Sequence, residues 1–268
     1  MRRPLFSIVV PTLNAERFLR WCLMSIENAG YPRTQVIVVD GGSTDGTLDV
    51  VKAFERTTEI VVLYRPPKGE SNAINEGLKV AAGDVMAWLD ADDEYRAACG
   101  ARLWSASGYD NEQRPFHAVE KALQTAMWCY GKCKIIDDRG FTTRHRVTAF
   151  KEYWQKRYSY GALKRLCFIA QPAVFWRREA MENVGLLDES ERYVMDYDYW
   201  LRLGALYEPA FIDQYLASWR SHPGSETARA LLQDIEDARR VAKKYGGGIG
   251  ADLTYWGTRL GYKAMGAL

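Results

Sequence analysis

Three carboxylates stand within four residues of one another at the end of an apolar run. Val85–Leu89 has the composition of a buried strand, and Asp90, Asp92 and Asp93 follow it directly. Because neighbouring carboxylates repel one another, such a cluster is favoured where a cation lies among them. Their oxygen atoms suit a divalent ion that also holds phosphate. The alternative is a solvated acidic turn after a strand, and the cluster alone does not separate the two.

Apolar runs rich in β-branched residues recur through the first third of the chain, and helical patterns fill the intervals. This alternation predicts βαβ units, and hence an α/β fold with a mostly parallel central sheet and helices on both faces. Asn14 stands where it could cap the first helix. The predicted strands are Phe6–Val10, Val36–Val39, Ile60–Leu63 and Val85–Leu89.

Ligands of such sheets bind beyond the carboxyl ends of the strands. Besides the Asp cluster, polar or glycine-rich segments follow the other three strands, at 11–16 (PTLNAE), 40–47 (DGGSTDGT) and 65–70 (RPPKGE). The first of them lacks the G-x-G-x-x-G turn that a dinucleotide needs, and no G-x-x-x-x-G-K-[ST] segment occurs. NAD binding is therefore disfavoured, and ATP hydrolysis by a P-loop is excluded.

Composition limits the class of protein. The chain has 268 residues, 47% of them hydrophobic, which suits one large α/β domain with a helical appendage. A net charge of +2 does not by itself indicate a nucleic-acid partner. Five irregularly spaced cysteines fit free thiols in a reducing compartment. No run approaches the ~20 apolar residues of a membrane span. We therefore expect a cytoplasmic protein, either soluble or peripheral at the inner face of the membrane.

Seven segments together resemble a known family. The first four read IVVPTLNAE, VIVVDGGSTDGT, PPKGESNAINEGLKVAAGD and WLDADDEY, and the last three read IAQPAVFWRREAMENVGLLDES, MDYDYWLRL and WRSHPGSET. In this order, over roughly residues 5–228, they resemble the inverting family-2 glycosyltransferases. The resemblance implies the GT-A fold and a nucleotide-diphosphate sugar donor carrying UDP, GDP or dTDP.

The resemblance also implies a donor site at the strand ends. Pro11, Thr12, Asn14 and Glu16 would lie at the nucleoside pocket, and Asp40 would accept a hydrogen bond from the base. These five residues belong to the segments that follow the first and second predicted strands.

A metal ion is implied at the Asp cluster. Asp90, Asp92 and Asp93 match the family's metal and ribose motif, in which the last Asp usually contacts the Mn²⁺ or Mg²⁺ that bridges the diphosphate. The resemblance thus implies Asp92 and Asp93 as metal ligands, and Asp90 and Asp92 as contacts of the nucleotide sugar. Lys68 stands where a cation could approach the same phosphates. His222 could complete the metal's coordination, and the alternative is a solvated histidine beside the turn that follows it.

Asp196 is the candidate catalytic base. The family has a Glu-Asp pair at this place, with the base on its Asp, whereas this chain has Met195-Asp196. Asp198 is the competitor, but it stands four residues before Arg202 on a predicted helix, where the two side chains could simply pair. On the acceptor side the resemblance implies Gln171. Trp176 and Trp200 could form a wall on which a sugar stacks, and Trp200 is counted with the acceptor side; the alternative is that these aromatics are core residues, as aromatics in such runs more often are.

Residues 139–178 contain ten Lys or Arg against one acid, Glu152, and are interleaved with aromatic residues. A segment that lies on an anionic phospholipid surface, or that grips a pyrophosphate-linked acceptor, would have this composition. Nucleic acid is the rival partner, but the chain lacks the broad basic charge of base-stacking domains. The third alternative is a connecting segment whose aromatics pack on the sheet.

These features predict three parts and one activity. Residues 1–95 would bind the nucleotide sugar, 96–224 would supply the acceptor site and the base, and 225–268 would form a helical extension that covers the core or mediates dimerisation. The expected activity is metal-dependent, inverting transfer of a sugar to a hydroxyl of a saccharide or lipid-linked acceptor, in cell-surface polysaccharide or glycolipid assembly. A nucleotidyltransferase and a non-catalytic nucleotide-sugar-binding module remain the alternatives.

Overall fold

A computed structural model describes residues 2–55, 59–66, 68–96, 114–225 and 230–264 of the chain. Pro67, Cys99 and residues 226–229 of the predicted C-terminal extension lie outside this described part. The four strands predicted in the first third are confirmed; the first three extend slightly beyond their predicted bounds, and the fourth ends one residue before its predicted end. The strands are β1 Phe6–Thr12, β2 Thr34–Asp40, β3 Ile60–Tyr64, β4 Val85–Trp88, β5 Glu94–Tyr95, β6 Trp128–Ile136, β7 Thr142–Thr143, β8 Val174–Arg177 and β9 Ala210–Arg220.

All of these strands join one sheet, in the order β3-β2-β1-β4-β8-β6-β9-β5, with β7 paired to β6. The β3-β2-β1-β4 portion is parallel, as predicted from the βαβ pattern. The β4–β8 and β8–β6 pairs are antiparallel. The predicted parts 1–95 and 96–224 therefore share a single sheet, and β8 brings residues of the second part beside β4 of the first.

Helices cover both faces of the sheet, and each face has its own buried apolar cluster. A short 3-10 turn at Gln171–Ala173 leads into β8. The helices are α1 Glu16–Asn28, α2 Thr47–Phe54, α3 Glu70–Val80, α4 Pro115–Ala122, α5 His145–Gln155, α6 Tyr160–Leu163, α7 Arg178–Val184, α8 Met195–Leu206, α9 Leu231–Lys244 and α10 Gly248–Ala264.

Close packing of helices on the parallel strands fixes the strand ends in space. On α1 the buried face includes Phe18, Cys22 and Ile26, which follow the helical period. On α3, a Cβ atom added at Gly77 would lie 2.4 Å from Val9 Cγ1, so only glycine lets this helix approach β1 so closely. The loops that follow β1, β2 and β4 are consequently anchored at both ends by buried elements.

The two C-terminal helices pack against the rest of the domain. Helix α9 contributes buried Val241 and Ala242 to the cluster that also contains residues of α8, and α10 contributes Ala251 to the same cluster. The helical extension predicted for residues 225–268 is confirmed over its described part. It belongs to the same core as α8, which carries the candidate base.

Candidate active site

Two loops at the strand ends are joined to each other by hydrogen bonds. The Asn14 amide oxygen accepts a bond from Thr44 N (2.9 Å), and Asn14 N donates to Ser43 Oγ (2.9 Å). Glu16 Oε2 accepts from Gly46 N (3.0 Å). The prediction that Asn14 caps α1 is wrong, because its backbone is left-handed (φ 52°) and its side chain bonds the neighbouring loop instead. Asn14 and Glu16, which were predicted to lie at the nucleoside pocket, therefore join the loop after β1 to the loop after β2.

Asp40 organises the loop after β2. Its side chain is buried, and its carboxylate accepts bonds from Gly42 N (2.9 Å), Ser43 N (3.0 Å) and Ser43 Oγ (2.5 Å). Thr12 lies opposite Asp40 in the sheet register, and its hydroxyl is 3.4 Å from Asp40 Oδ1. Pro11 precedes Thr12 on β1. The residues assigned to the nucleoside therefore lie together at the carboxyl ends of adjacent parallel strands.

The Asp cluster is held in place from the far end of β9. Asp93 is buried, and its Oδ1 accepts a bond from Arg220 N (2.7 Å). Arg220 also donates to the Asp92 carbonyl (2.8 Å) and pairs with Glu94. The sequence shows no pattern that links β9 to the cluster, yet this one arginine contacts three successive residues, Asp92, Asp93 and Glu94.

Asp90 shares a hydrogen bond with a carboxyl group that sequence reasoning did not single out. Glu70, the first residue of α3, bonds to Asp90. Burial, followed by the charges of Glu70 and Asp92, raises the pKa of the Asp90 carboxyl well above its usual range. The polar segment after β3 was the available signal for Glu70, although nothing in that segment indicated a contact with Asp90.

The donor atoms at this cluster suit a divalent ion that shares its coordination with a diphosphate. Asp90 Oδ1 and Asp93 Oδ2 are buried and have no hydrogen-bond partner within the described residues. Asp92 Oδ2 lies 2.9 Å from His222 Nε2, close to the separation of about 3 Å that neighbouring ligands of one Mg²⁺-like ion adopt. Within those same residues, no group of three or more His, Cys, Asp or Glu side chains forms a metal site by itself. The remaining ligands would have to be phosphate or water oxygens.

The distance from His222 Nε2 to Asp92 Oδ2 suits two ligands of one metal ion, but the present hydrogen bonds of His222 do not leave Nε2 free to bind a metal. Gly224 N donates to His222 Nδ1 (3.1 Å), which assigns the proton to Nε2 and makes the contact with Asp92 Oδ2 a hydrogen bond. Ligation through Nε2 requires the proton to move to Nδ1 and the Gly224 contact to open. Metal binding by His222 therefore stays a prediction, whereas its hydrogen bond to Asp92 is present.

A cavity of about 820 Å³ joins the Asp cluster to the candidate base. Asp90 and Glu70 line it together with Gln171 and Asp196. Gln171 Nε2 donates to the Trp88 carbonyl (2.9 Å), which orients the Gln171 side chain at the end of β4. A smaller cavity lined by Lys68 adjoins it, since both include Glu70 and Arg192. Residues from both predicted parts of the chain meet in one space.

Asp196 has the environment of a base that works near neutral pH. Burial raises the pKa of its carboxyl to about 6, although a bond from Tyr197 N (2.6 Å) and the charge of Lys151 act in the opposite direction. A general base is most effective when its pKa lies near the working pH. The cavity position and the pKa both favour Asp196 for this role.

Asp198 is a structural residue, as the alternative interpretation of the sequence predicted. It is fully buried, and its oxygens accept from Arg202 Nε (2.9 Å), Lys244 Nζ (2.9 Å) and Tyr245 Oη (2.8 Å). These contacts join α8 to α9. Asp198 does not line the cavity.

The expectation for Trp200 is wrong. Its side chain is fully buried and stacks with Trp88 (ring centroids 5.4 Å apart) and Trp128 (6.2 Å), with Trp176 also in the cluster. A helical pattern of aromatics does not distinguish a core face from a ligand wall. The aromatic residues that do line the cavity are Trp154 on α5 and Trp219 on β9, together with Phe150, Tyr193 and Tyr197.

The basic, aromatic segment 139–178 forms a wall of this cavity. Helix α5 contributes Arg146, Lys151 and Trp154, and Arg165 lies after α6. Several of its aromatics, including Phe168 and Trp176, are core residues, whereas Phe141, Phe150 and Tyr153 are exposed. The packed-connector alternative is thus confirmed for part of the segment. Among the described helices, none is long and apolar enough to cross a membrane.

Comparison with known proteins identifies relatives over most of the chain. Residues 7–109 match the model of the glycosyl transferase family 2. A PGL/p-HBAD biosynthesis glycosyltransferase of Mycobacterium bovis is 30% identical over 222 residues, covering 81% of this chain and 75% of the relative. An uncharacterized glycosyltransferase of Rickettsia prowazekii is 25% identical over 243 residues, covering 87% and 70%.

Solved structures share the fold. Residues 1–349 of S. aureus TarS, in complex with UDP-GlcNAc, match with a TM-score of 0.65 at 19% identity, covering 88% of this chain and 65% of that chain. The mannosyltransferase PcManGT of Pyrobaculum calidifontis, in complex with GDP-Man and Mn²⁺, has a TM-score of 0.64 at 19% identity, covering 100% and 77%. These similarities confirm the predicted fold class, the GT-A architecture.

Proposed function

Because this chain belongs to glycosyl transferase family 2, we propose that it transfers a sugar with inversion, from a nucleotide-diphosphate sugar to an acceptor hydroxyl, with Asp196 as the base. One observation carries the proposal. Asp90 on the donor side and Asp196 on the acceptor side line the same cavity, although they come from different parts of the chain. A donor and an acceptor bound there would meet between the two carboxylates.

The donor would lie across the strand ends. Pro11, Thr12 and Asp40 would face the nucleoside, and Lys68 would approach the phosphates from the loop before α3. Asn14 and Glu16 would act on the nucleoside mainly by holding the two loops together. Loops fixed in this way lose little entropy when the donor binds.

Asp92 and Asp93 are the residues best suited to hold a divalent ion. Asp92 is partly exposed, and Asp93 is fixed by Arg220 N through Oδ1 while its Oδ2 has no hydrogen-bond partner among the described residues. We propose Mn²⁺ or Mg²⁺, with His222 joining after the proton shift described above. The ion, when bound, stabilises the negative charge that develops on the leaving diphosphate. The Mn²⁺ in the PcManGT complex supports a divalent ion in this fold.

At the acceptor, Asp196 would take the proton of the attacking hydroxyl as its oxygen bonds the anomeric carbon. The bond from that carbon to the diphosphate oxygen breaks at the same time, so the configuration inverts. A positioned base of this kind contributes roughly 10²–10⁴-fold to the rate. Gln171, held by Trp88, lies beside this path and would orient the acceptor.

We propose further that the enzyme works at a membrane and takes a saccharide or lipid-linked acceptor in cell-surface polysaccharide or glycolipid assembly. Helix α10 supports this, because one of its faces lines the cavity while the other exposes four large apolar side chains at helical spacing. The exposed Phe150 and Tyr153 on α5 border the same cavity wall. The exposed α10 residues are Ile249, Leu253, Trp256 and Leu260.

The basic charge of the neighbouring segment favours an anionic bilayer over a second copy of the chain as the occupant of this apolar face. Residues 139–178 contain ten cationic side chains against one acid, and a second copy would bring the same positive charge to the interface. A homodimer through α10 is the alternative. Sedimentation with anionic vesicles distinguishes it from membrane docking.

A ligand screen tests the proposed function. UDP, GDP, dTDP and their sugars are compared by thermal shift with and without Mn²⁺, because a ligand at 100 times its dissociation constant stabilises by ~2.7 kcal/mol. We expect one nucleoside diphosphate to stabilise the protein, and to do so more strongly in the presence of Mn²⁺. Turnover of the corresponding sugar nucleotide should release that nucleoside diphosphate. Stabilisation by none of them would contradict the proposal.

The same screen separates the two other candidate functions. A nucleotidyltransferase would release pyrophosphate from a nucleoside triphosphate in the presence of a sugar phosphate. A non-catalytic module would bind the sugar nucleotide and release nothing. The sequence favours neither alternative. The segment PTLNAE after β1 lacks the glycines and cations of a nucleotidyltransferase loop. Asp196 stands where the family has its base, which argues against a non-catalytic module.

A further inference from the structure

Four cationic side chains line the large cavity without a carboxylate partner. Arg144, Arg146, Lys151 and Arg165 all contribute to its wall. No carboxylate of the described residues lies within 4.0 Å of any of these four. Arg192 and Arg239 also line the wall, and Arg239 pairs with Asp252. Unpaired cations that share a partly enclosed space repel one another, so their arrangement favours an anionic occupant.

These cations lie on the acceptor side of the cavity. Helix α5, which carries Arg146 and Lys151, packs on β6 and lines the cavity together with the candidate base Asp196. The charge of Lys151 acts on Asp196, whereas the charges that act on Asp90 are those of Glu70, Asp92 and Asp196. An inverting reaction requires the acceptor to approach from the side of the sugar opposite the leaving diphosphate.

Lys151 is the central member of the group. It lies partly buried on α5, one turn before Trp154, and both side chains reach the cavity. Its charge lowers the pKa of two carboxyls that face the same space, Asp196 and Asp234, although burial is the larger influence and raises both. The acids that line the cavity do not pair with Lys151 at contact distance, so its ammonium group remains available to a ligand.

We propose that Lys151 and Arg165, assisted by Arg146, bind a phosphate or pyrophosphate group of the acceptor while the acceptor hydroxyl reaches Asp196. The proposal rests on the glycosyltransferase function and names the class of its second substrate. A single carboxylate would neutralise one of four unpaired cations, whereas a pyrophosphate carries enough charge and enough oxygen atoms to engage three of them.

Two kinds of acceptor share this chemistry. A lipid-linked pyrophosphate saccharide would place its hydrocarbon chain toward α10, whose Ala251, Thr254 and Thr258 line the cavity. A water-soluble saccharide phosphate would need no such path. In the first kind of acceptor the hydrocarbon chain adds to the binding affinity, and in the second it does not. Comparing the affinities of inorganic pyrophosphate and geranyl pyrophosphate therefore distinguishes them.

The test is calorimetric titration of both probes into the full chain in EDTA, which removes divalent ions and with them the metal-bridged binding of the donor site. The cavity variant is Lys151→Gln with Arg165→Gln. Its matched control is Lys52→Gln with Lys79→Gln, which removes two cations from α2 and α3, outside the cavity. A third variant, Lys68→Gln, reports on the donor side. Circular dichroism melting establishes that each variant is folded.

We expect the cavity variant to bind pyrophosphate at least tenfold more weakly than the wild type, because each charge-assisted contact typically contributes about a factor of ten or more. The control should remain within twofold. Tighter binding of geranyl pyrophosphate would support the subsite and identify a lipid-linked acceptor, and equal binding of both probes would support the subsite with a soluble acceptor.

Equal affinity of wild type and cavity variant would overturn the inference, as would a loss of binding confined to Lys68→Gln. Release of nucleotide from a sugar nucleotide is measured in parallel on the wild type. If that release occurs while the cavity variant still binds pyrophosphate normally, the subsite alone is wrong. If no sugar nucleotide binds or reacts, the glycosyltransferase proposal fails instead.

Discussion

Asp196 and Asp198 lie two residues apart in the first turn of α8 and have opposite surroundings. The Asp196 carboxyl opens into the cavity and accepts a bond only from Tyr197 N among the described residues. The Asp198 carboxyl is buried among Arg202, Lys244 and Tyr245. One residue is thereby available to a substrate, and the other joins two helices.

This difference predicts opposite effects of the same substitution. Asp196→Asn should lower kcat by roughly 10² or more and leave nucleotide affinity nearly unchanged, because Asn cannot accept the proton. The substitution should also stabilise the fold above pH 6, by up to about 3 kcal/mol, because the raised pKa means that the ionised carboxyl opposes folding. Turnover kinetics and urea unfolding at pH 8 measure the two effects.

Asp198→Asn is the matched control for that experiment. It should lower the free energy of unfolding by about 2–3 kcal/mol, because Arg202 and Lys244 would then face a neutral partner. The loss is limited to this size because Lys244 is half exposed and remains partly solvated. Turnover of the folded variant should stay close to that of the wild type. If the larger loss of kcat fell on Asp198→Asn, the assignment of the base would be reversed.

Activity should depend on pH through Asp196. Because the base must be ionised and burial raises its pKa to about 6, kcat should fall as the pH drops below about 6, approaching tenfold per unit. The residual activity of Asp196→Asn should lack this acid limb. The pH profile of kcat for both proteins provides the check, and an unchanged acid limb in Asp196→Asn would assign the titration to another group.

Metal dependence should separate Asp92 from its neighbours. Asp92→Asn should weaken Mn²⁺-dependent binding of the nucleotide diphosphate by tenfold or more, since it removes the exposed charged ligand. Asp93→Ala should abolish transfer and metal-dependent nucleotide binding together, because Asp93 supports the cluster through Arg220. Thermal shift with a Mn²⁺ titration measures both.

His222→Gln completes the metal test. Glutamine can still donate a hydrogen bond to Asp92 but is a poor ligand for the ion. A large rise in the Mn²⁺ concentration needed for half-maximal stabilisation would support ligation by His222, and no rise would leave it as a hydrogen-bond partner. Undiminished Mn²⁺ dependence in Asp93→Ala would remove the cluster from the metal site.

Membrane docking predicts sedimentation with anionic vesicles. Reversing the charge of Lys156, Arg157 and Lys164 should release the protein, because each cation near such a surface contributes about 1 kcal/mol. Trp256→Glu on α10 should weaken vesicle binding as well. Arg165 is left unchanged because it lines the cavity. Absence of wild-type binding at ~0.1 M salt, or a dimer that Trp256→Glu converts to a monomer, would contradict the docking surface.

The parallel half of the fold follows from local patterns in the sequence. The runs at Phe6–Val10 and Val36–Val39 are long enough, and apolar enough on both faces, to specify buried parallel strands. Their polar ends had to meet at one edge, which is why the Asp cluster and Asp40 were identified as site residues. The pairing of Asp198 with Arg202 was predicted from their spacing of four residues, and the structure contains that contact.

Residues brought in by tertiary packing could not be predicted in this way. Lys151 and Asp234 reach the cavity from α5 and α9, and no spacing in the sequence relates these helices to α8. Trp200 was misassigned because an aromatic on a helix is equally compatible with a core and with a ligand wall. The prediction that Asn14 caps α1 was wrong because its side-chain amide accepts a hydrogen bond from the loop that follows β2.

The stereochemistry of the transfer tests the central claim most directly. The anomeric configuration of the product can be determined by proton NMR from the coupling constant of the anomeric hydrogen, with the donor that the ligand screen identifies. A single displacement assisted by Asp196 predicts a product with the configuration opposite to that of the donor, and roughly 10²-fold less product from Asp196→Asn at the same time point. A product with retained configuration, or equal product from Asp196→Asn, would contradict the account.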